Sequence, residues 1–358
     1  MDTAKANKVN SRRTAVWGIT PNGIRLGRRL RSHFQDYTLF IPEKEAAGPT
    51  DISGGDDLRV TRFSRLGEEL PRQFRKFDAH IFIFATGIAV RLIAPLIKTK
   101  LEDPAIVVVD EKGFHAVSLL SGHIGGANDL ARYIGEVANA VPVITTATDI
   151  NTLPSIDMIA RDNGLYIENP GAIKYVNMAF LKGEKIRIYD PLGLVSRFIP
   201  DGLAIPGTGK EPDIDLACTW EQIKVPRETL VFRPRVLSVG IGCNRNTPEQ
   251  DISDFLTETF KTFKLSPEAI STLATTTVKA DEQGLLALGR TLNLPIQFYE
   301  RDQLNSVESI ENPSEMAEKY LGVKSVCEAA AILSARMGKL IVPKQKTRDV
   351  TLAVAVPK

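Results

Sequence analysis

Short runs of apolar, β-branched residues alternate along this chain with stretches in which apolar residues return every three or four positions, so the pattern predicts strands alternating with helices. Strands are expected over residues 15–20, 37–41 and 77–85, the last around the core IFIFA. Thr20-Pro21 opens a helix, with a capping hydroxyl followed by proline at the first helical position, and Leu26, Leu30 and Phe34 form its apolar face. The polar run 42–57 reads as a loop. Beyond Thr86-Gly87 the spacing predicts a helix over 88–97 with Arg91 in its first turn. Strands over 105–109 and 114–120, the second mostly buried, flank Asp110-Glu111-Lys112-Gly113, whose Asp first and Gly last suit a hairpin turn. A glycine-rich turn follows, then a helix carrying Leu130, Ile134, Val137 and Ala138, then a strand over 141–146 that runs into Thr145 to Asp149.

The second half repeats the alternation. A helix, another opening near Asn169-Pro170, and a strand over 185–189 form a middle unit, and the Pro-, Gly- and Asp-rich run 200–215 reads as exposed linker. A further domain starts with a strand over 236–239 and the turn Gly240-Ile241-Gly242-Cys243-Asn244-Arg245-Asn246, after which Thr247-Pro248-Glu249-Gln250 has the form of a capping box. Strands over 275–279 and 296–299, helices over 281–292 and 325–337, and a hairpin of 340–343 with 350–356 complete it. The fold class is therefore α/β: an open, mostly parallel sheet in the N-terminal part, a small middle α/β unit and a separate compact α/β C-terminal domain. The expected divisions are a basic tail over 1–13, domains over 14–140 and 141–199, a linker over 200–234, and a domain over 235–358.

Composition narrows the picture. With 358 residues, 43% hydrophobic and 25% charged, the chain has enough apolar material for two or three cores. Its N-terminus is polar and basic, no apolar run reaches membrane length, and a cytoplasmic location is expected. Three well-separated cysteines and four scattered histidines suggest neither a disulfide framework nor a protein-held metal. The net charge is only +2, although residues 1–100 hold 18 Lys and Arg against 10 Asp and Glu. Much of that bias is a solvated helix face of Arg25, Arg28, Arg29 and Arg31, so nucleic acid is not expected as a partner, nor is a membrane.

The chemistry is expected at the turn Ser121-Gly122-His123-Ile124-Gly125-Gly126-Ala127-Asn128-Asp129. Glycines there let backbone N–H groups approach a ligand, and the following helix N-terminus favours an anion. The spacing is that of neither a P-loop nor a dinucleotide fingerprint. If the strands are parallel, this turn meets Thr86-Gly87 and the stretch from Thr145 to Asp149 at one sheet edge. Candidate binding groups there are Thr86, Gly87, Arg91, Ser121, Gly122, Gly125, Gly126, Asn128, Thr145 and Thr146. His123, Asp129 and Asp149 are candidates for proton transfer. In the last domain Gly240, Gly242, Arg245 and Lys279 are further candidates, while Cys243 fits a packed turn position better than a nucleophile, since no histidine follows residue 123.

The segments IFIFATGIAVRLIAP, DPAIVVVDEKGFHAVSLLSGHIGGANDLA, PVITTATD, GIGCNRNTP, TTVKADEQGLLALG, SVCEAAAILSA and VTLAVA, in that order, resemble the cobalt-precorrin-5A hydrolase family of anaerobic cobalamin biosynthesis. Cys243-Asn244-Arg245-Asn246 departs from the more basic, glycine-bearing version of that turn. The resemblance implies a hydrolase that opens the δ-lactone of a cobalt corrinoid and releases acetaldehyde. Its partners would be the corrinoid substrate and neighbouring pathway enzymes. No cofactor is expected, because the cobalt arrives with the substrate. Such chemistry needs a base, for which His123 oriented by Asp129 or Asp149 is the expectation, and oxyanion donors, expected from the N–H groups of Gly125-Gly126 with Thr145 or Thr146. Two other readings stand beside it. One is a non-catalytic corrinoid carrier or scaffold, since the C-terminal domain resembles a stand-alone domain of cobalamin pathways; the other is a phosphate or nucleotide binder.

Overall fold

A computed structural model describes residues 7, 9–47, 59–99, 102–151, 153–209 and 213–358. The chain divides into two compact units, Met1–Met158 and Ile159–Lys358. The first is built on a seven-stranded sheet: β1 (Thr14–Gly18), β2 (Tyr37–Pro42), β3 (Val60–Phe63), β4 (Ala79–Ile83), β5 (Ala105–Val109), β6 (His115–Leu120) and β7 (Val141–Val143), in the order β3-β2-β1-β4-β5-β6-β7. All neighbours are parallel except β5 and β6, which form the antiparallel hairpin expected at Asp110 to Gly113. That hairpin reverses the last two strands. Consequently the turns after β6 and β7 leave the sheet at the amino ends of β1, β4 and β5, opposite Thr86-Gly87.

Both faces are covered, which is why β1, β4 and β5 are buried at every position. Helices α1 (Pro21–Leu30), α2 (Leu66–Gln73), α3 (Thr86–Ile93) and α4 (Ala127–Ala138) divide between the faces. Val16, Ile81, Ile83 and Val107 pack with α1 and α4. Trp17, Phe82, Ile106 and Val108 pack with Leu70 of α2 and Ala89 and Ile93 of α3. Thr20 caps α1 as expected, its Oγ1 accepting the Gly23 N–H at 3.1 Å. On the α2–α3 face His80 is wholly buried. Trp17 Nε1–H donates to its Nδ1 at 3.1 Å, its Nε2 lies 3.0 Å from the Phe74 carbonyl, and burial pushes its pKa down to about 4. It is a neutral core group.

Several local expectations change. Arg91 stands in the last turn of α3, not its first. Strand β6 is exposed at His115 and only partly buried over most of its length, and Phe114 before it is 60% exposed. The expected loose tail is partly core: Val9 is buried, and the Arg12 guanidinium donates to the Gly125 carbonyl. Residues 1–6 and 8 of that tail, and 48–57 of the expected loop, lie outside the described residues. Residues 141–158 belong to the first unit, because β7 pairs with β6.

Short helices α5 (Ala147–Ile150) and α6 (Ile156–Asp162) lead onward, and α7 (Ile173–Leu181) belongs to the middle region. There β8 (Tyr166–Ile167), β9 (Ile186–Tyr189), β10 (Ala204–Pro206), β11 (Leu216–Cys218) and β12 (Leu230–Arg233) form a sheet in the order β10-β9-β11-β12-β8. Residues 200–234 are thus not a linker. They supply three strands too short for an alternating pattern to reveal, while 210–212 lie outside the described residues.

The last region has the sheet order β15-β14-β13-β17-β16, from β13 (Leu237–Cys243), β14 (Ile270–Thr276), β15 (Ile296–Tyr299), β16 (Lys339–Lys346) and β17 (Val350–Val356). Helices α8 (Glu249–Thr262) and α9 (Gln283–Thr291) cover one face. After α10 (Arg301–Asn305) and α11 (Glu315–Leu321), helix α12 (Cys327–Ser334) covers the other. The capping box at Thr247 does not form: α8 begins at Glu249 with no side-chain cap, and Thr247 Oγ1 donates to the Asn244 carbonyl instead.

Candidate active site

At the end of β6 the backbone turns at once, with Ser121 at φ 57° and Gly126 at φ 83°. The turn's glycines are packed against their own neighbours. A Cβ on Gly125 would lie 2.3 Å from Ser121 Cβ, and one on Gly122 would lie 2.7 Å from Asn128 Oδ1. The turn also uses its own donors: the N–H groups of Gly126, Ala127 and Asn128 go to the carbonyls of His123, Ser121 and Gly122 at 2.8, 3.1 and 3.0 Å. This corrects the expectation that the Gly126 N–H is an oxyanion donor, and it leaves the start of α4 a poor anion cradle. Gly126→Ala is expected to cost about 1–2 kcal/mol, because a non-glycine residue must hold the left-handed conformation. Its Cβ would also displace the Arg12 guanidinium, 2.6 Å away. A denaturant titration checks this, and an unchanged midpoint would refute it.

Within this framework the structure brings His123 and Asp149 together, with Nε2 2.9 Å from the carboxylate and 3.2 Å from Thr148 Oγ1. On the other side of the ring, Nδ1 lies 3.0 Å from Ser155 Oγ and 3.6 Å from Asp157 Oδ2. Ser155 Oγ–H in turn donates to Asp157. Asp149 also takes Arg132 Nη2 at 2.5 Å and Asn128 Nδ2 at 2.9 Å. Asn128 Nδ2 donates to Thr146 Oγ1 as well, and Asn128 Oδ1 accepts from Ser118 Oγ. Asp129 stands against Arg132 at 3.5 Å.

The electrostatics follow from these contacts. Hydrogen bonds to Asp149 and Asp157, opposed by partial burial, raise the His123 pKa to about 9. The His123 hydrogen bond and Arg132 hold Asp149 far below the usual carboxylate range. Carboxylates on both sides thus favour the imidazolium form of His123, donating from both nitrogens, which works against the expected role as base. Thr148, Ser155, Asp157 and Arg132 were not singled out from sequence. Arg132, one helical turn beyond Asp129, carried the one local signal.

Thr86, Gly87 and Arg91 do not join this cluster. They lie at the other sheet edge, because β6 and β7 run against β1, β4 and β5. At that edge is a crevice of about 620 Å³, walled by Ile19, Ile83, Phe84, Ile88, Val108 and Val117. Thr20, Thr86, Asp110, Glu111 and His115 also line it. It lies at the carboxyl ends of β1 and β4, where the strand order reverses, the usual ligand position of a doubly wound sheet. Sequence reading treated the residues of its acidic side only as a turn.

In the C-terminal domain Gly240 and Gly242 are strand residues, not turn residues. A Cβ on Gly240 would stand 1.9 Å from the Cys327 carbonyl, so this glycine permits close approach of α12. Arg245 donates to Asp281 and to the Val278 carbonyl, and Lys279 Nζ lies 3.3 Å from Glu282. Both candidate receptors already have partners. Burial raises the pKa of the Cys243 thiol, as suits a packed cysteine.

Three protein-family models match in succession: Cobalamin synthesis G N-terminal over residues 68–149, Cobalamin biosynthesis central region over 154–234, and Cobalamin synthesis G C-terminus over 237–355. A cobalt-precorrin-5A hydrolase of Priestia megaterium is 31% identical, over 96% of this chain and 94% of its own. One from Salmonella typhimurium is 33% identical, over 98% of this chain and 99% of its own. The chain belongs to the cobalt-precorrin-5A hydrolase family. The match runs through all three sheets, so the hydrolase family relationship covers the middle region as well as the two flanking domains. A solved structure described as a cobalamin biosynthesis protein G homolog from Sulfolobus solfataricus is 22% identical, with TM-score 0.37, over 98% of this chain and 99% of that one.

Proposed function

We propose that this chain is a hydrolase of cobalamin biosynthesis that opens the δ-lactone of cobalt-precorrin-5A and releases the former ring carbon and its methyl group as acetaldehyde, giving cobalt-precorrin-5B. The observation that carries this reading is the relationship, above 30% identity and nearly end to end, with two proteins named cobalt-precorrin-5A hydrolase.

The reaction sets definite demands. Water must lose a proton as its oxygen bonds to the lactone carbonyl, donors must hold the oxyanion, and the departing ring oxygen must be protonated. The resulting hydroxyl then gives up its proton as the carbon–carbon bond breaks, and the electron pair enters the conjugated macrocycle. The cobalt is part of the substrate and the scheme asks for no protein-held metal or cofactor.

Incubating the purified chain with cobalt-precorrin-5A is expected to release one equivalent of acetaldehyde, read by its enzymatic reduction with NADH. The corrinoid mass should change by the gain of water and the loss of acetaldehyde. Binding of the corrinoid with no acetaldehyde would support a carrier instead. Affinity for a nucleotide with none for corrinoids would reject both.

A further inference from the structure

At the glycine turn both ring nitrogens of His123 are engaged, Nε2 with Asp149 and Nδ1 with Ser155 and Asp157. Building on the hydrolase reading, we propose that the crevice at the carboxyl ends of β1, β4 and β5 seats the lactone-bearing edge of the corrinoid, and that His115, backed by Asp110, is the base that acts there.

The four histidines differ sharply in what their rings face. His80 is sealed in the core with both nitrogens engaged. His123 is held between Asp149 and Asp157. His33 lies in the short turn Arg31–His33 before β2, at the opposite sheet edge. His115 lines the crevice, with a side chain 58% exposed, and among the described residues its Nε2 has no partner.

Behind that ring stands an anchored carboxylate. Asp110 Oδ2 accepts the His115 backbone N–H at 2.7 Å and lies 3.5 Å from His115 Nδ1, while Oδ1 accepts the Lys112 N–H at 3.0 Å. Burial works against the charge of Asp110, yet the N–H groups of His115, Phe114 and Lys112 hold its pKa below the usual value. A carboxylate fixed beside Nδ1 favours the proton on that nitrogen and leaves Nε2 as the basic one.

The remaining walls fit the substrate's chemistry. Ile19, Ile83, Phe84 and Ile88 offer apolar surface to the methyl-bearing ring edge. Thr86 opens α3, whose N-terminus has no side-chain cap; the Ile88 N–H is used by the Ala85 carbonyl at 3.0 Å, so the donors proposed for a developing oxyanion are the Thr86 hydroxyl and the N–H groups of Thr86 and Gly87. The Arg91 guanidinium folds back over that turn, 3.8 Å from where a Gly87 side chain would begin, and suits a peripheral carboxylate. Glu111 is tied to Thr20 Oγ1 at 2.9 Å and Asn22 Nδ2 at 3.4 Å, which keeps its charge on α1. The charged groups that line the crevice with His115 are thus Asp110 and Glu111 of the hairpin, with Lys112 beside them in sequence.

Protons and electrons balance with this one base. His115 Nε2 takes a proton from water as the oxygen adds to the carbonyl carbon, and returns it to the ring oxygen when the tetrahedral adduct collapses. The neutral imidazole then takes the proton of the new hydroxyl as the carbon–carbon pair passes into the macrocycle. That proton is delivered to the carbon left behind, and acetaldehyde departs.

The test compares three full-length variants with the unmodified chain on cobalt-precorrin-5A. His115→Gln is expected to lower kcat about 100-fold or more with KM little changed. Asp110→Asn is expected to lower kcat with KM little changed, because the carboxylate beside the ring is lost. Ile88→Trp, at a position 40% exposed and so tolerant of size, should abolish corrinoid binding in an absorbance titration. Full turnover by His115→Gln, or normal binding by Ile88→Trp, would overturn the proposal while acetaldehyde release by the unmodified chain upheld the hydrolase reading. An unmodified chain that releases no acetaldehyde would defeat the hydrolase reading itself, and this proposal with it.

Discussion

Glutamine in place of His123 is expected to destabilise the first unit by about 2–4 kcal/mol, somewhat less than loss of a fully buried ion-pair partner because the ring is 16% exposed. Removing the imidazolium leaves Asp149 with Arg132 and Asn128 and leaves Asp157 with Ser155 but without the His123 charge. The pH dependence carries the signature. The folded pKa of His123 is raised from 6.5 to about 9, so its stabilisation is complete below pH 6.5 and disappears as the pH climbs through about 9. Asp149 is shifted down from 3.8, so its share is present above pH 3.8 and fades only in stronger acid. These are two views of one ion pair and do not add. The thermal midpoint of the unmodified unit should therefore be highest between about pH 4 and 6.5 and fall toward pH 9, and in His123→Gln the alkaline fall should flatten. A variant with an unchanged midpoint and no turnover would show instead that His123 takes part in the chemistry.

Much of this architecture was legible because the relevant signals are local. The IFIFA run, the Thr20-Pro21 cap and the hairpin at Asp110 to Gly113 each follow from contacts within a few residues, and each stands in the structure. Strand direction is not local. The hairpin itself implied that β6 runs against β5, but the expectation that all the turns meet at one edge assumed parallel strands, and the actual reversal separates Thr86 and Arg91 from His123. The three strands within 200–234 were missed for another reason: with three or four residues each, they are too short to show a period of two.

The candidate site was legible as composition and not as chemistry. His123 and Asp149 could be named from the sequence, yet their protonation depends on Asp157 and Arg132, which are brought in by other helices. Glycines 125 and 240 read as ligand-approach positions. What they admit is Ser121 in one case and the Cys327 carbonyl in the other. A glycine marks where something comes close, and only packing decides whether that neighbour is a ligand or the protein itself.

The same reasoning gives the largest stability effect expected in the second unit, at Glu328. Its carboxylate is fully buried in the first turn of α12 and accepts four N–H groups: Glu311 N at 2.9 Å, Asn312 N at 3.0 Å, Asn312 Nδ2 at 3.0 Å and Lys344 N at 2.8 Å. It ties two separate segments to α12. Burial alone would raise its pKa, but the N–H groups of Asn312 and Lys344 outweigh that and hold it below the usual value. Glu328→Gln replaces one acceptor oxygen with an NH₂ group that faces donors, so two part-buried N–H groups lose their partner whichever way the amide turns. At roughly 1–3 kcal/mol for each orphaned group, the cost is about 2–6 kcal/mol. For a unit of this size that lowers the thermal midpoint by about 10 °C. Because the folded pKa lies below the ordinary 4.5, this stabilisation is present above pH 4.5 and lost as the pH falls through the lowered value. The deficit of the variant should therefore shrink in acid. A melt of Glu328→Gln that matches the unmodified chain at pH 7, or a deficit that stays constant down to pH 3, would show that the carboxylate charge is not what holds these segments to α12.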